Sequence, residues 1–167
     1  MTTTNLDQRY HEQLRVLFST ESQLVAAIAN LAIHTTDPQL KRAFNVDLNL
    51  TRSQRANVLD LLTQHEIDLY RSESPVIRRL IRETKGLVRS GTPGRIRDAA
   101  LLAYIGKIKR FKISAYGEAR SLAKRLGYDD DALVILHSLV EEQSADKELH
   151  LLRTTLLSTA ELAGAVA

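Results

Sequence analysis

The sequence predicts an all-α chain: an antiparallel four-helix bundle with a short extra helix between bundle helices 2 and 3. Helix breakers are scarce, with seven Gly and three Pro in 167 residues, while Leu, Ala, Arg and Glu abound and β-branched runs are few. Apolar residues recur at alternating spacings of three and four over long stretches. The breakers that do occur gather at a few places, and these divide the chain into helices.

The first helix is expected from about Leu6 to Ile33, because Leu14, Leu17, Leu24, Ile28 and Leu31 fall on one face. It stops before Thr35-Thr36-Asp37-Pro38. Asp37 followed by Pro38 is itself a start signal, an N-cap side chain and then a ring whose missing N–H needs no partner. The second helix therefore runs from Pro38 to about His65. Ser74-Pro75 repeats the signal and opens the short extra helix, which ends near Arg89 before Ser90-Gly-Thr-Pro-Gly94. The next helix spans about Arg95 to Leu126, with Gly127 as its C-terminal stop. Asp129 can cap the last, from about Asp130 to Ala160. No repeat or linker interrupts this order, so residues 1–167 form a single domain, long enough to bury roughly 70% of the surface its unfolded form exposes.

Composition excludes several functions. Apolar residues at 44% and charged ones at 26% are those of a globular protein. Without cysteine there is no disulfide framework, thiolate metal site or cysteine nucleophile. The start Met1-Thr-Thr-Thr-Asn5 lacks a basic and then apolar signal pattern, and the longest uninterrupted apolar run, Ala99 to Ile105, is far below the about 20 residues of a membrane span. A cytoplasmic chain without membrane insertion is expected. His11, His34, His65, His137 and His150 never recur at a spacing of three to five, so no paired-ligand motif exists. There is no Gly-x-Ser-x-Gly elbow and no phosphate loop.

Polar residues interrupt the apolar stripes at mid-helix. Glu21 sits in register with Leu17 and Leu24. The long helix after Gly94 reads Leu102, Ile105, Lys109, Lys112, Tyr116, Ala119, Ala123 and Leu126, with two lysines on its inward face. In the last helix Ile135 and Leu139 lead to Glu142 and Asp146, and then Leu149. The second helix offers Leu40, Ala43, Asp47, Leu50, Gln54 and Leu61, widened by Phe44, Leu48 and Leu62. Antiparallel packing brings these polar positions into one layer, where an inward charge needs a partner, a metal or water. Two readings stand for Lys109 and Lys112: stems lying along apolar surface with their heads in water, or ammonium groups turned inward.

The same residues resemble the YciF-like branch of the ferritin-like proteins over nearly the whole chain. The likeness rests on Thr20-Glu21-Ser-Gln-Leu24; on Leu40-Lys-Arg-Ala-Phe44 with Leu48, Thr51 and Gln54; and on Ile96-Arg-Asp-Ala-Ala-Leu101, Ser114-Ala-Tyr-Gly117 and Leu126-Gly-Tyr128. Leu139-Val-Glu-Glu142 with Asp146 and Leu149 completes it. This resemblance implies a ferritin-like bundle with a central di-metal carboxylate site and an association with stress responses. The site's pattern is broken here. Where the family carries Glu-Glu-Thr this chain has Asn49-Leu50-Thr51, and where it carries Glu-His-Tyr-Glu this chain has Lys109-Arg110-Phe111-Lys112. Glu21, Gln54, Glu142 and Asp146 remain as a remnant. Exchanging two carboxylates for two ammonium groups changes the local charge by +4, and each cation–ammonium contact costs on the order of 4 kcal/mol per unit-charge pair at an effective dielectric of about 20.

The expectation is therefore no metal and no cofactor, with Lys109 and Lys112 neutralised by Glu21, Glu142 and Asp146. The role is then structural or interactive, in a homodimer or as partner of a related ferritin-like protein. Two alternatives stand beside it. Glu21, Gln54, Glu142 and Asp146 would hold a single ion in a residual metal oxidoreductase if both lysines swung outward. A basic bundle would bind nucleic acid or another anionic partner. Arg71 to Arg125 carries 15 Lys and Arg against four acids, a balance of +11 within a net charge of +3, and Arg78, Arg79, Arg82, Lys85 and Arg89 crowd the short helix. No groove-reading motif or stacking aromatic cluster accompanies them, so nucleic-acid recognition is not the expected use.

Overall fold

The computed structural model describes the backbone of residues 3–70 and 72–166 and the side chains of residues 4–70, 72–159 and 164. Met1 and Thr2 of the start segment, Arg71 at the head of the basic stretch and Ala167 lie outside the described residues. Among the described residues there are five helices: α1 Thr3–His34, α2 Pro38–Gln64, α3 Pro75–Ser90, α4 Arg95–Leu126 and α5 Asp129–Val166. The starts and stops follow the local chemistry. The Asp37 side chain accepts from the backbone N–H groups of Gln39 and Leu40, both at 2.9 Å, and Ser74 caps α3 by accepting from that of Ile77. Gly127 ends α4 at φ 78°, a left-handed conformation that glycine adopts without a Cβ penalty. The last helix does not end at Ala160 but continues to Val166.

Contacts at the helix ends fix the topology. Asp98, near the start of α4, accepts from the backbone N–H groups of Thr36 and Asp37 and from the Thr36 hydroxyl at 2.7–3.0 Å, while Arg97 donates to the carbonyl of His34. The start of α4 is therefore tied to the α1–α2 turn. At the other end His65, just past α2, and Tyr10 of α1 both meet Asp131 of α5. Helix α2 and α4 thus run in the same direction, and residues 65–94, with α3, carry the chain back along the length of the bundle between them. The packed pairs α1–α2, α4–α5, α1–α4 and α2–α5 are all antiparallel, with α2–α5 the sparsest seam. One long crossover of this kind is the ferritin-like connection.

The core is divided. One apolar cluster gathers Leu24, Ile28, Leu31, Leu40, Phe44, Leu48, Leu102, Ile105 and Leu149 at the α1–α2 turn end. The other gathers Tyr10, Leu14, Leu17, Val58, Leu61, Tyr116, Ala119 and Ile135 at the opposite end. In every bundle helix the buried residues between the two clusters are polar, so a buried polar layer separates them, with the half-buried Phe111 touching both sides. By length and composition, the stretch Thr4–His34 of α1 is also apolar enough to cross a membrane. The uninterrupted-run criterion missed it because polar residues such as Glu21 and Gln23 break the run. In this bundle Leu14, Leu17, Leu24, Ile28 and Leu31 of that stretch are buried in the core.

Candidate polar centre

Every helix of the bundle contributes to the layer. Glu21 comes from α1, Asp47 and Gln54 from α2, Lys109, Lys112 and Tyr116 from α4, and Glu142 from α5. None of the seven exposes more than 3% of its surface. The spacing of three and four between Lys109, Lys112 and Tyr116 keeps all three on one face of α4. Lys112 Nζ lies 3.0 Å from Glu21 Oε2, 2.8 Å from Glu142 Oε1 and 2.9 Å from Gln54 Oε1. Lys109 Nζ pairs with Asp47 and lies 3.1 Å from Glu142 Oε2. Among the described residues Glu142 is thus the one carboxylate that bridges both ammonium groups. The Tyr116 hydroxyl donates to Glu21 Oε1 at 2.7 Å, and Gln54 passes the network outward by donating to Glu141.

Asp146 does not join this layer. It is half-buried and lines a separate surface pocket with Lys107, Arg110, His150 and Arg153. Among the described residues of α5, Ile135 and Ser138 before Glu142 and Leu149 and Leu156 after it are buried, whereas Asp146 is not. A step of four from Glu142 turns the side chain about 40° further round the helix, towards the outer side of α4. Asp47 occupies the place expected for Asp146 as the third carboxylate. Its spacing of seven from Gln54 was the available signal. Leu50, which stands where the resemblance calls for Glu, lines a small cavity of about 100 Å³ beside Asp47, between α2 and α5.

A pair of metal ions does not fit this donor set. One oxygen of Glu21, one of Asp47 and both of Glu142 already lie at contact distance from ammonium nitrogens, and a divalent ion among them would stand within a few ångström of both lysines. At an effective dielectric of about 20 each such contact is repulsive by roughly 8 kcal/mol. The remnant Glu21, Gln54 and Glu142 are brought together, but around Lys112.

Three carboxylates face two ammonium groups, so the fully ionised layer holds one surplus negative charge. Burial pushes the Glu21 carboxyl above the usual range; Lys112 opposes this and the charge of Glu142 adds to it. Burial acts on Glu142 in the same direction, but Lys112 and Lys109 outweigh it and hold that carboxyl below the usual range. Lys112 is desolvated too, yet Glu21, Glu142 and Asp47 raise it above an ordinary lysine. The Tyr116 phenol is pushed well up by burial and by Glu21, and stays a neutral donor.

Opposite shifts give opposite pH dependence. Glu142 binds its proton less tightly in the folded chain, so its contribution is present above 4.5, the ordinary carboxyl value, and is lost as pH falls through the folded value. Glu21 binds its proton more tightly when folded, so its contribution declines as pH rises past that value. Glu142→Gln is expected to be less stable than the parent at neutral pH, by a margin that narrows on acidification. Glu21→Gln is expected to gain on the parent as pH rises from about 4 to 7. Urea unfolding across that range reads both, and parallel curves for the two variants would remove the assignment.

The basic face of α3 is solvated. Arg78 pairs with Glu73 at 2.7 Å and Arg79 with Glu83 at 2.9 Å, while Arg82, Lys85 and Arg89 are exposed. Sequence reasoning also passed over Asp131, which is buried and receives Tyr10, Gln64 and His65 at the far end of the bundle. Its place in an Asp129-Asp130-Asp131 run gave no sign of which carboxylate turns inward.

Comparison with known proteins agrees with this architecture. A family model described as a domain of unknown function, DUF892, matches residues 5–161. Protein YciF of Escherichia coli (strain K12) is 31% identical over 133 residues, 79% of this chain and 80% of that protein. The crystal structure of the E. coli stress protein YciF is similar at a TM-score of 0.86 and 28% identity, covering 92% of this chain and 97% of that one. YcfI from Rhodopseudomonas palustris is similar at a TM-score of 0.82 over 90% of this chain and 94% of its own; at 22% identity that likeness bears on the fold alone.

Proposed function

The chain belongs to the YciF-like DUF892 family, and from that premise we propose that it is a non-catalytic stress protein of the cytoplasm with a structural or interaction role, its centre held by a lysine–carboxylate network in place of a di-iron site. One observation carries this reading: both ammonium nitrogens lie within ion-pair distance of the carboxylates that a pair of cations would need. Oxidase chemistry in such a bundle depends on a metal pair with open coordination positions. Here the cations are covalently tethered, coordinatively inert and unable to change redox state. What the network supplies is a specified register, because Lys112 is satisfied only when α1, α2, α4 and α5 meet at the right height, and Lys109 only when α2, α4 and α5 do. A bundle so fixed offers its outer faces to a second copy or to a related ferritin-like partner.

Iron loading tests the reading. The purified chain, given ferrous ion and oxygen and then desalted, is expected to retain well below one ion per chain and to oxidise iron no faster than buffer. Retention of about two ions per chain, or oxidation that scales with protein, would overturn it.

A further inference from the structure

The pocket that holds Asp146 has a chemistry of its own. It lies between the outer sides of α4 and α5, encloses about 220 Å³, and has Leu102, Ala103, Gly106 and Leu149 as its apolar wall. Lys107, Arg110, His150 and Arg153 line the remainder together with Asp146. Among the described residues, none of Lys107, Arg110 and Arg153 has a carboxylate within ion-pair distance, and the Nε of Arg153 is buried without a hydrogen-bond partner. Three cations against one carboxylate leave a balance of +2 in a concave, partly desolvated space. Arg78 and Arg79 of α3 differ in this respect, because they are held by acids of their own neighbourhood, and Arg82 and Arg89 stand exposed on that helix.

Like charges held together without counter-charge repel, and a site that gathers them is stabilised by an anion. Guanidinium groups present paired N–H donors in a planar fork that suits tetrahedral oxyanions, and an ammonium adds a compact charge. A phosphate monoester carries about −1.5 to −2 near neutral pH, which matches the +2 balance. We propose that this pocket is a binding site for a phosphate group, either free phosphate or the head of a small phosphomonoester, held by Arg110, Arg153 and Lys107. Asp146 sets the limit on charge, since it opposes the bound anion. The site shares no ammonium or carboxylate with the polar centre.

The test is calorimetric titration of the full chain with inorganic phosphate and, in a second arm, with glycerol 3-phosphate, at constant ionic strength set with chloride. Saturable binding at one site per chain is expected, with a matching rise in the thermal midpoint, since a ligand of the native state stabilises it. Arg110→Gln, at an exposed position, should weaken binding by about tenfold or more, the loss of one charge-assisted contact. Asp146→Asn should strengthen it, and Arg82→Gln on α3 should leave it unchanged. Equal affinity in the two arms assigns recognition to the phosphate alone; tighter binding of the ester extends the site to the attached carbons. Absence of saturation, equal weakening by Arg82→Gln, or preference for a DNA fragment over both small anions would overturn the proposal.

Discussion

Glu142→Ala is expected to cost about 3–5 kcal/mol of folding stability, which for a chain of this size lowers the thermal midpoint by roughly 6–20 °C. The reason is its position between two charges. Both Lys109 and Lys112 lie within 3.1 Å of its oxygens, and both are fully buried, so truncation strands two ammonium groups at once. Lys112 would keep only Glu21 and Gln54, and Lys109 only Asp47. A protein stable by about 5–15 kcal/mol loses much of its margin by such a change. Lys109→Ala belongs to the same class, because it leaves Asp47 and Glu142 facing each other. Urea unfolding of both variants reads the effect. Truncating the exposed Arg79 of α3, by contrast, should not move the midpoint measurably. Unchanged stability in Glu142→Ala and Lys109→Ala together would mean that the layer contributes nothing to cohesion.

The second large effect is a reversal of charge. Lys109→Glu and Lys112→Glu combined with Leu50→Glu put carboxylates where the resemblance calls for them. The layer then holds Glu21, Asp47, Glu142 and three further acids without an ammonium group. The apo variant is expected to be severely destabilised by mutual repulsion, and a divalent ion should restore it. Ferrous or manganous ion at about a thousandfold excess over its dissociation constant returns about 4 kcal/mol, with retention of about two ions per chain. The parent chain should show no such rescue. A variant that folds without metal, or that ignores it, would place the loss of metal binding elsewhere than in the two lysines.

Much of the architecture was legible because it rests on local signals. Asp37-Pro38 and Ser74-Pro75 start helices wherever they occur, and Gly127 stops one, so the five-helix order follows from neighbours in sequence. The crossover direction of the 65–94 segment was not legible, since it depends on which helix ends meet, and Asp98 reaches the α1–α2 turn across 61 residues. At the centre Glu21, Gln54, Lys109, Lys112 and Glu142 stood out as polar residues in apolar registers. Asp146 was misplaced because spacings of four and of seven both look like one face on paper. Over two turns only the spacing of seven stays within about 20° of the starting direction. Asp47 was visible in its stripe, but nothing local distinguishes a carboxylate that meets a lysine from one that meets water. Burial decides that, and burial is a property of the assembled bundle.

The claim that two protonated lysines occupy the middle of the bundle is tested most directly by nitrogen-15 NMR of the lysine side chains at neutral pH. Lys109 and Lys112 should give two ammonium signals whose protons are protected from solvent exchange, and Glu142→Gln should shift both. Rapid exchange at both nitrogens, indistinguishable from that of surface lysines such as Lys85 and Lys124, would contradict it.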